Sequence, residues 1–337
     1  MIIQLEKNSS ITEKETTLNY LKNLKFSVTE VNTQSGNYLV CIGKSEFDIR
    51  NIGNLPGVSD VHIVSDNYKL VSKKWKVKNT EIDLGNNVII GGDAPSIMAG
   101  PCSLESEEQM LKIIDHLIKN NIKILRGGVF KPRSSPYAFR GAGIEGLKMM
   151  KQITEPYGIK IITEVMQVSQ IEEMIPYVDV FQVGARNSQN FNLLDALGEI
   201  DKPVLIKRGI SGTIEELLYS AEYIFSKGNE KLLLCERGIR TFETAYRNTF
   251  DINAIQVLKE KSHLPVIADP SHGVGIRDYV AKLALSSLIS GADGVIYEVH
   301  EKPEEAISDG QQTLNFFESD KLNADIFKLT NSGLLKS

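Results

Sequence analysis

From residue 96 onward, short runs of Ile, Val and Leu return at even intervals with helical stretches between them, and this rhythm constrains the fold more than any other feature. The strand candidates are residues 97–99, 122–125, 159–162, 178–183, 204–206, 232–234, 266–268 and 294–297. Helical stretches such as 107–119, 145–157, 214–225 and 279–290 lie between them. The strands are apolar throughout, as parallel strands covered on both faces must be. Eight β/α units over about 240 residues predict a closed (β/α)8 TIM barrel, assigned to 94–337. An open doubly wound sheet is the alternative, and the evenness of the eight units favours closure.

The first 65 residues have a different order. Ile2-Ile3-Gln4-Leu5 reads as a strand, and Leu18, Leu21 and Leu24 form one helical stripe. Residues 26–31 and 38–42 are β-rich about the turn Ser35-Gly36-Asn37, a short amphipathic segment covers 47–52, and 58–64 returns as a strand. This βαββαβ order predicts a small ferredoxin-like unit over 1–65. Residues 66–93 are expected to be a linker and a barrel-capping hairpin. Asp66 to Asn79, with Lys73-Lys74-Trp75-Lys76-Val77-Lys78, reads as solvated linker, and the hairpin turns at Gly85-Asn86-Asn87. Two units agree with 337 residues at roughly 150 per domain.

Composition excludes several classes of function. A net charge of −5 argues against a nucleic-acid partner. No apolar run approaches the roughly 18 residues that span a bilayer, and Met1 to Lys7 lacks the pattern of a secretory signal. Asn8-Ser9-Ser10 is therefore a sequon without meaning. Cys41, Cys102 and Cys235 are too few for a disulfide framework and fit a reducing compartment. A cytoplasmic enzyme is expected.

Chemistry gathers behind the strands. In order they lead into Gly100-Pro101-Cys102-Ser103, Arg126-Gly127-Gly128, Thr163-Glu164, Gly184-Ala185-Arg186-Asn187, Lys207-Arg208-Gly209, Glu236-Arg237-Gly238, Asp269-Pro270-Ser271-His272 and Glu298-Val299-His300. Barrel active sites are built on that rim. Arg126, Lys131, Arg133, Arg186, Lys207, Arg208 and Arg237 are the cations there, and in an acidic protein such a set points to a phosphorylated substrate. Any one of them alone would read as a surface ion pair. Cys102, His272, Glu298 and Asp309 form a mixed S/N/O set suited to one divalent ion, Mn, Fe, Co or Zn rather than Mg or Ca. His300 is a second candidate ligand, and Asp309 could instead cap a helix. Cys41 and Cys235 read as small buried hydrophobes. Gly141-Ala142-Gly143-Ile144-Glu145-Gly146 spells the dinucleotide fingerprint but does not follow a strand directly, so it reads as loop glycines entering a helix.

These segments, with Lys131-Pro132-Arg133-Ser134 and Ser308-Asp309-Gly310, resemble the 3-deoxy-D-arabino-heptulosonate 7-phosphate (DAHP) synthases, type I beta, over essentially the whole chain. The resemblance implies condensation of phosphoenolpyruvate with D-erythrose 4-phosphate, opening the shikimate pathway. It assigns Cys102, His272, Glu298 and Asp309 to the metal. It assigns Arg126, Lys131, Ala185, Arg186, Lys207, Glu236, Arg237 and His272 to substrate, chiefly phosphoenolpyruvate. Pro132, Arg133 and Ser134, with Lys131, would hold erythrose 4-phosphate. Lys131, His272 and Cys102 are the catalytic set, with Lys131 placed to protonate the aldehyde oxygen. Glu164, Glu236 and His272 are candidates to deprotonate water. The resemblance further implies a homotetramer and an N-terminal ACT-like module that takes tyrosine or phenylalanine as effector. The rival readings are 3-deoxy-D-manno-octulosonate 8-phosphate synthase, against which Lys131-Pro132-Arg133-Ser134 argues, and a non-catalytic sensor, against which the complete metal and cation sets argue.

Overall fold

The computed structural model describes residues 1–44, 46–130, 137 and 141–335. The N-terminal segment runs β1 (Ile2–Leu5), α1 (Ile11–Asn23), β2 (Ser27–Asn32), β3 (Asn37–Ile42), α2 (Ile49–Gly53) and β4 (Val58–His62). Its four strands lie in the order β2-β3-β1-β4, every neighbouring pair antiparallel. That is the ferredoxin-like arrangement. α1 starts where it does because Ser10 Oγ accepts from the Glu13 amide and the Glu13 carboxylate accepts from the Ser10 amide, a reciprocal cap. Strand alternation gives the sheet two apolar faces. Ile3, Leu5, Leu39 and Cys41 pack with Leu21 and Ile52 of the helices, while Ile2, Val31, Tyr38 and Val40 face the other way.

That second face is covered by the segment expected to be a solvated linker, and here the structure corrects the sequence reading. Tyr68, Leu70, Val71 and Trp75 are buried. The Trp75 ring meets Tyr38 edge-on at 5.2 Å and His263 at 5.8 Å, and its indole N–H donates to the Leu70 carbonyl at 2.7 Å. The amides of Lys69, Leu70 and Val71 all donate to the carboxylate of Glu222, at 2.9, 2.9 and 3.1 Å. The lysines misled because only an ammonium tip needs water. Lys74 Nζ reaches Asp66 at 2.7 Å while the backbone beneath it is fastened to the barrel by the Lys73 amide, which donates to the Lys261 carbonyl at 2.9 Å.

The hairpin follows as expected, with β5 (Ile82–Asp83) and β6 (Ile89–Ile90) antiparallel. The barrel comprises β7 (Ser96–Gly100), β8 (Ile124–Arg126), β9 (Lys160–Val165), β10 (Val180–Val183), β11 (Val204–Lys207), β12 (Leu232–Glu236), β13 (Val266–Ala268) and β14 (Gly294–Glu298). All eight are parallel and close in sequence order, β9 pairing with β10 and β14 with β7. Around them lie α3 (Glu107–Lys119), α4 (Gly143–Thr154), α5 (Ile171–Met174), α6 (Phe191–Gly198), α7 (Ile214–Ser226), α8 (Ile252–Lys261), α9 (Pro270–Val274), α10 (Arg277–Ile289) and α11 (Phe316–Asn331). α4 opens at Gly143, so the glycine-rich hexapeptide does lead into a helix. None of the described helices is long and apolar enough to cross a membrane.

Strand residues divide by parity. Met98, Ile124, Ile162, Val180, Leu205, Leu233, Cys235, Ile267 and Ile296 fill the barrel interior together with Ile82, Val88 and Ile90 of the hairpin. Their neighbours Ala99, Leu125, Ile161, Phe181, Ile206, Leu234, Ala268 and Tyr297 pack outward under the helices. The hairpin thus plugs the end of the barrel at which the strands begin.

His263 lies where the Trp75 segment meets the barrel. Its Nε2 lies 2.8 Å from the Leu70 carbonyl and its Nδ1 2.7 Å from Thr80 Oγ1, an arrangement that suits the neutral ring. Burial pushes its pKa down to about 3. An unfolded histidine titrates near 6.5, so the folded chain refuses a proton that the unfolded chain accepts. The associated stability is complete above pH 6.5 and is lost as pH falls toward 3, at about 1.4 kcal/mol per unit. In urea unfolding, wild type should lose about 2 kcal/mol more than His263→Gln between pH 7 and pH 5. Parallel losses in the two proteins would contradict this placement of His263.

Candidate active site at the barrel mouth

The inward parity continues to the strand ends. Two residues beyond an interior apolar side chain stand Gly100, Arg126, Glu164, Gln182, Lys207, Asp269 and Glu298, and Arg237 follows Cys235 by the same step. Gly100 leaves the strand where β7 and β8 approach so closely that a Cβ would sit 2.0 Å from the Arg126 carbonyl oxygen. Cys102 follows immediately. Asp269 caps α9, accepting from the His272 amide at 3.1 Å, and so presents His272 to the mouth.

A cavity of about 220 Å³ occupies this mouth. Arg126, Arg186, Lys207, Arg237, Arg240 and Arg247 line it, against the carboxylates of Glu164 and Asp309. Ala185 and His272 line it as well. Arg126, Lys207 and Arg237 are nearly inaccessible to solvent, at 5%, 4% and 6% exposure. Lys207 Nζ is paired with Asp269 Oδ2 at 2.5 Å, and Arg126 with Glu298 Oε1 at 3.0 Å. Among the described residues no carboxylate pairs with Arg186, Arg237 or Arg240. Burial lowers the pKa of Arg237. Burial opposes the charge on Arg126 too, but the charges of Glu298, Cys102 and Asp269 outweigh it and raise that pKa. Arg237, desolvated without a paired carboxylate, with the exposed and unpaired Arg186 and Arg240 beside it, fits a ligand that brings several negative charges.

At one edge of the cavity the donor atoms of Cys102, Glu298 and Asp309 all lie within 4.8 Å of one another. Cys102 Sγ is 3.2 Å from Asp309 Oδ2. His272 adjoins the group, its Nε2 3.4 Å from Glu298 Oε1. Its Nδ1 lies 2.8 Å from Asp269 Oδ2, the carboxylate contact that leaves Nε2 as the donor toward an ion. Burial pulls the His272 pKa down, against the pull of Asp269 and Glu298, and favours the neutral ring that ligation requires. Burial resists ionisation of Asp269, yet His272 and Lys207 hold its carboxyl well below the usual range. Sulfur, imidazole and carboxylate together fit a divalent transition ion.

Four expectations need correction. Glu236 does not line the cavity. Its Oε2 accepts from Arg208 Nη1 at 2.9 Å and its Oε1 from the Gly238 amide at 2.6 Å. Arg208, counted among the rim cations, is locked to Glu236 and Asp251, each at 2.9 Å. Both residues have the outward parity of Ile206 and Leu234, which is the physical reason. His300, the second candidate ligand, turns to Glu105 at 3.5 Å. Asp309 caps no helix, since Asn315 caps α11. Lys131, Pro132, Arg133 and Ser134 lie outside the described residues. Sequence reasoning missed Arg240, Arg247 and Asn248, which belong to the long connection after β12, and Gln182, whose inward parity would have found it.

A family model described as the DAHP synthetase I family matches residues 75–333. The chain is 46% identical over 279 residues to the phospho-2-dehydro-3-deoxyheptonate aldolase of Thermotoga maritima, covering 83% of this chain and 82% of that one. It is 32% identical over 248 residues to the 2-dehydro-3-deoxyphosphooctonate aldolase of Syntrophotalea carbinolica, covering 68% of this chain and 88% of the relative. A crystal structure of the Thermotoga maritima DAHP synthase superposes over 99% of this chain and 98% of its own, with a TM-score of 0.79 at 40% identity. A truncated form of that synthase covers 80% of this chain and 99% of its own, with a TM-score of 0.75 at 43% identity.

Because Asp269 carries the counter-charge for buried Lys207, Asp269→Asn should destabilise the fold by about 3 kcal/mol, the cost of leaving one partner of a buried pair uncompensated. Urea unfolding at pH 7 measures it, and an unchanged midpoint would refute the pairing.

Proposed function

This chain belongs to the DAHP synthetase I family and is an enzyme, and from that premise we propose that it condenses phosphoenolpyruvate with D-erythrose 4-phosphate, giving DAHP and phosphate, as the first step of the shikimate pathway. The observation that carries this reading is the convergence of six cationic side chains on one cavity edged by a thiol, an imidazole and two carboxylates.

Arg126, Arg186, Lys207 and Arg237, with the backbone of Ala185, are assigned to phosphoenolpyruvate. Lys131, Pro132, Arg133 and Ser134 are assigned to erythrose 4-phosphate. Two anchored phosphates bring the reacting carbons together, converting a bimolecular encounter into a positioned one. C3 of phosphoenolpyruvate forms the new bond to the aldehyde carbon, and the aldehyde oxygen takes a proton from Lys131. C2, left cationic, receives water, and phosphate departs with cleavage of the C2–O bond. Glu164 and His272 both line the cavity and can accept the water's proton, whereas Glu236 is held outside it. Cys102, His272, Glu298 and Asp309 would hold one divalent ion of the Mn, Fe, Co or Zn type, which when bound supplies Lewis acidity at the aldehyde oxygen.

Among the described residues, none of 1–65 lines the cavity. We assign them as a regulatory unit in which tyrosine or phenylalanine binds between paired modules of a homotetramer. Inhibition then requires the effector to prefer one arrangement of the modules.

Phosphate release with erythrose 4-phosphate, compared with arabinose 5-phosphate, tests the activity against its nearest rival. Turnover should require erythrose 4-phosphate, vanish with a chelator or in Cys102→Ala, and return to the chelated wild type with Mn. Preference for arabinose 5-phosphate, or full activity without metal, would overturn the assignment. Millimolar tyrosine or phenylalanine should inhibit the full chain but not a protein lacking residues 1–65. Indifference of the full chain to both amino acids would leave the N-terminal unit without a regulatory role.

A further inference from the structure

Gln312 is fully buried beside the candidate ligands. Its Nε2 donates to Glu298 Oε2 at 2.7 Å, and its Oε1 accepts from Arg247 Nη1 at 2.8 Å. A guanidinium has donors only and a carboxylate acceptors only, so Arg247 and Glu298 together fix which way the amide is turned. The amide oxygen must face arginine, and the NH2 group must then face the carboxylate. Without Arg247 the amide oxygen loses its donor, and the side chain is anchored only through its bond to Glu298. The second Glu298 oxygen accepts from Arg126 Nη1 at 3.0 Å. The carboxylate is therefore held at both oxygens by donors from different parts of the rim.

Arg247 Nη1 also lies 3.4 Å from Asp309 Oδ1, so one guanidinium reaches toward two of the candidate ligands. Asn248, the next residue, donates to the His272 carbonyl at 2.9 Å. Arg247 is itself seated by its amide, which donates to the Val274 carbonyl at 3.0 Å. Its side chain passes over Gly275, where φ is +72° and a Cβ would stand 2.6 Å from Arg247 Cβ. A side chain at 275 would displace the arginine.

We propose that Arg247 and Gln312 are positioning residues for the divalent ion. Arg247 anchors the Gln312 amide by its oxygen, and Gln312, together with Arg126, fixes the plane in which Glu298 offers its oxygens. This rests on the assignment of Cys102, His272, Glu298 and Asp309 as ligands. Partners one step behind the ligands commonly govern metal affinity by about 10–100-fold.

The test is a Co2+ titration of chelator-treated wild type, Gln312→Met and Arg247→Met, following the thiolate-to-cobalt absorption that Cys102 would give and the dissociation constant by chelator competition. Wild type should bind one equivalent and develop the band. Both variants should remain folded and keep the band, yet bind Co2+ about 10–100-fold more weakly. Unchanged affinity in folded variants overturns the positioning role while leaving the ligand assignment intact. Should Gln312→Met fail to fold, the half-exposed Arg247→Met decides by the same criterion. Absence of the band in wild type removes the ligand assignment, and this proposal with it.

Discussion

Inside a closed barrel a strand can send only alternate residues inward, and this period of two decides what the mouth of this protein contains. Below the rim, inward positions are Met98, Ile124, Ile162, Leu205, Ile267 and Ile296, which pack without polar atoms. One step further along the same strands stand Arg126, Glu164, Lys207, Asp269 and Glu298. The charges are thus raised on an apolar floor and shielded from bulk water, where each is worth more to a ligand and costs more to the fold. The cost is met by pairing. Asp269 lies between Lys207 and His272, and Glu298 between Arg126 and Gln312.

The same rule explains which parts of the site were legible. Strand and helix periodicity located all eight barrel strands and the rim they share, and the N-terminal βαββαβ order unfolded into the expected sheet. Candidate ligands far apart in sequence, such as Cys102 and Asp309, came together because closure places β7 beside β14. Glu236 and Arg208 misled because proximity to a strand end was counted without its parity. Arg240 and Arg247 carried no periodic signal, lying in a connection that has no strand rhythm. Gln312 is neutral and fell outside any search for charge. Trp75 was hidden among lysines whose stems cover apolar surface while their tips reach water.

The N-terminal sheet is not hung on a free tether. One of its faces rests on Trp75, whose ring meets His263, and His263 stands just beyond the end of α8. On the adjoining side Glu222 of α7 gathers three successive amides of the connecting segment. Helices α7 and α8 follow the strands that carry Lys207 and Glu236. The sheet and the barrel strands that lead to the mouth are therefore joined through continuous packing.

The plug of Ile82, Val88 and Ile90 has a consequence for traffic. A barrel filled by its own side chains and sealed beneath by the hairpin has a single door, so whatever settles deepest must arrive before anything seated above it. A molecule resting against Arg126 and Lys207 is walled in by any second occupant above it. Traffic at this mouth therefore passes over the strand-end rim alone, because the apolar floor and the hairpin beneath it leave no second way through.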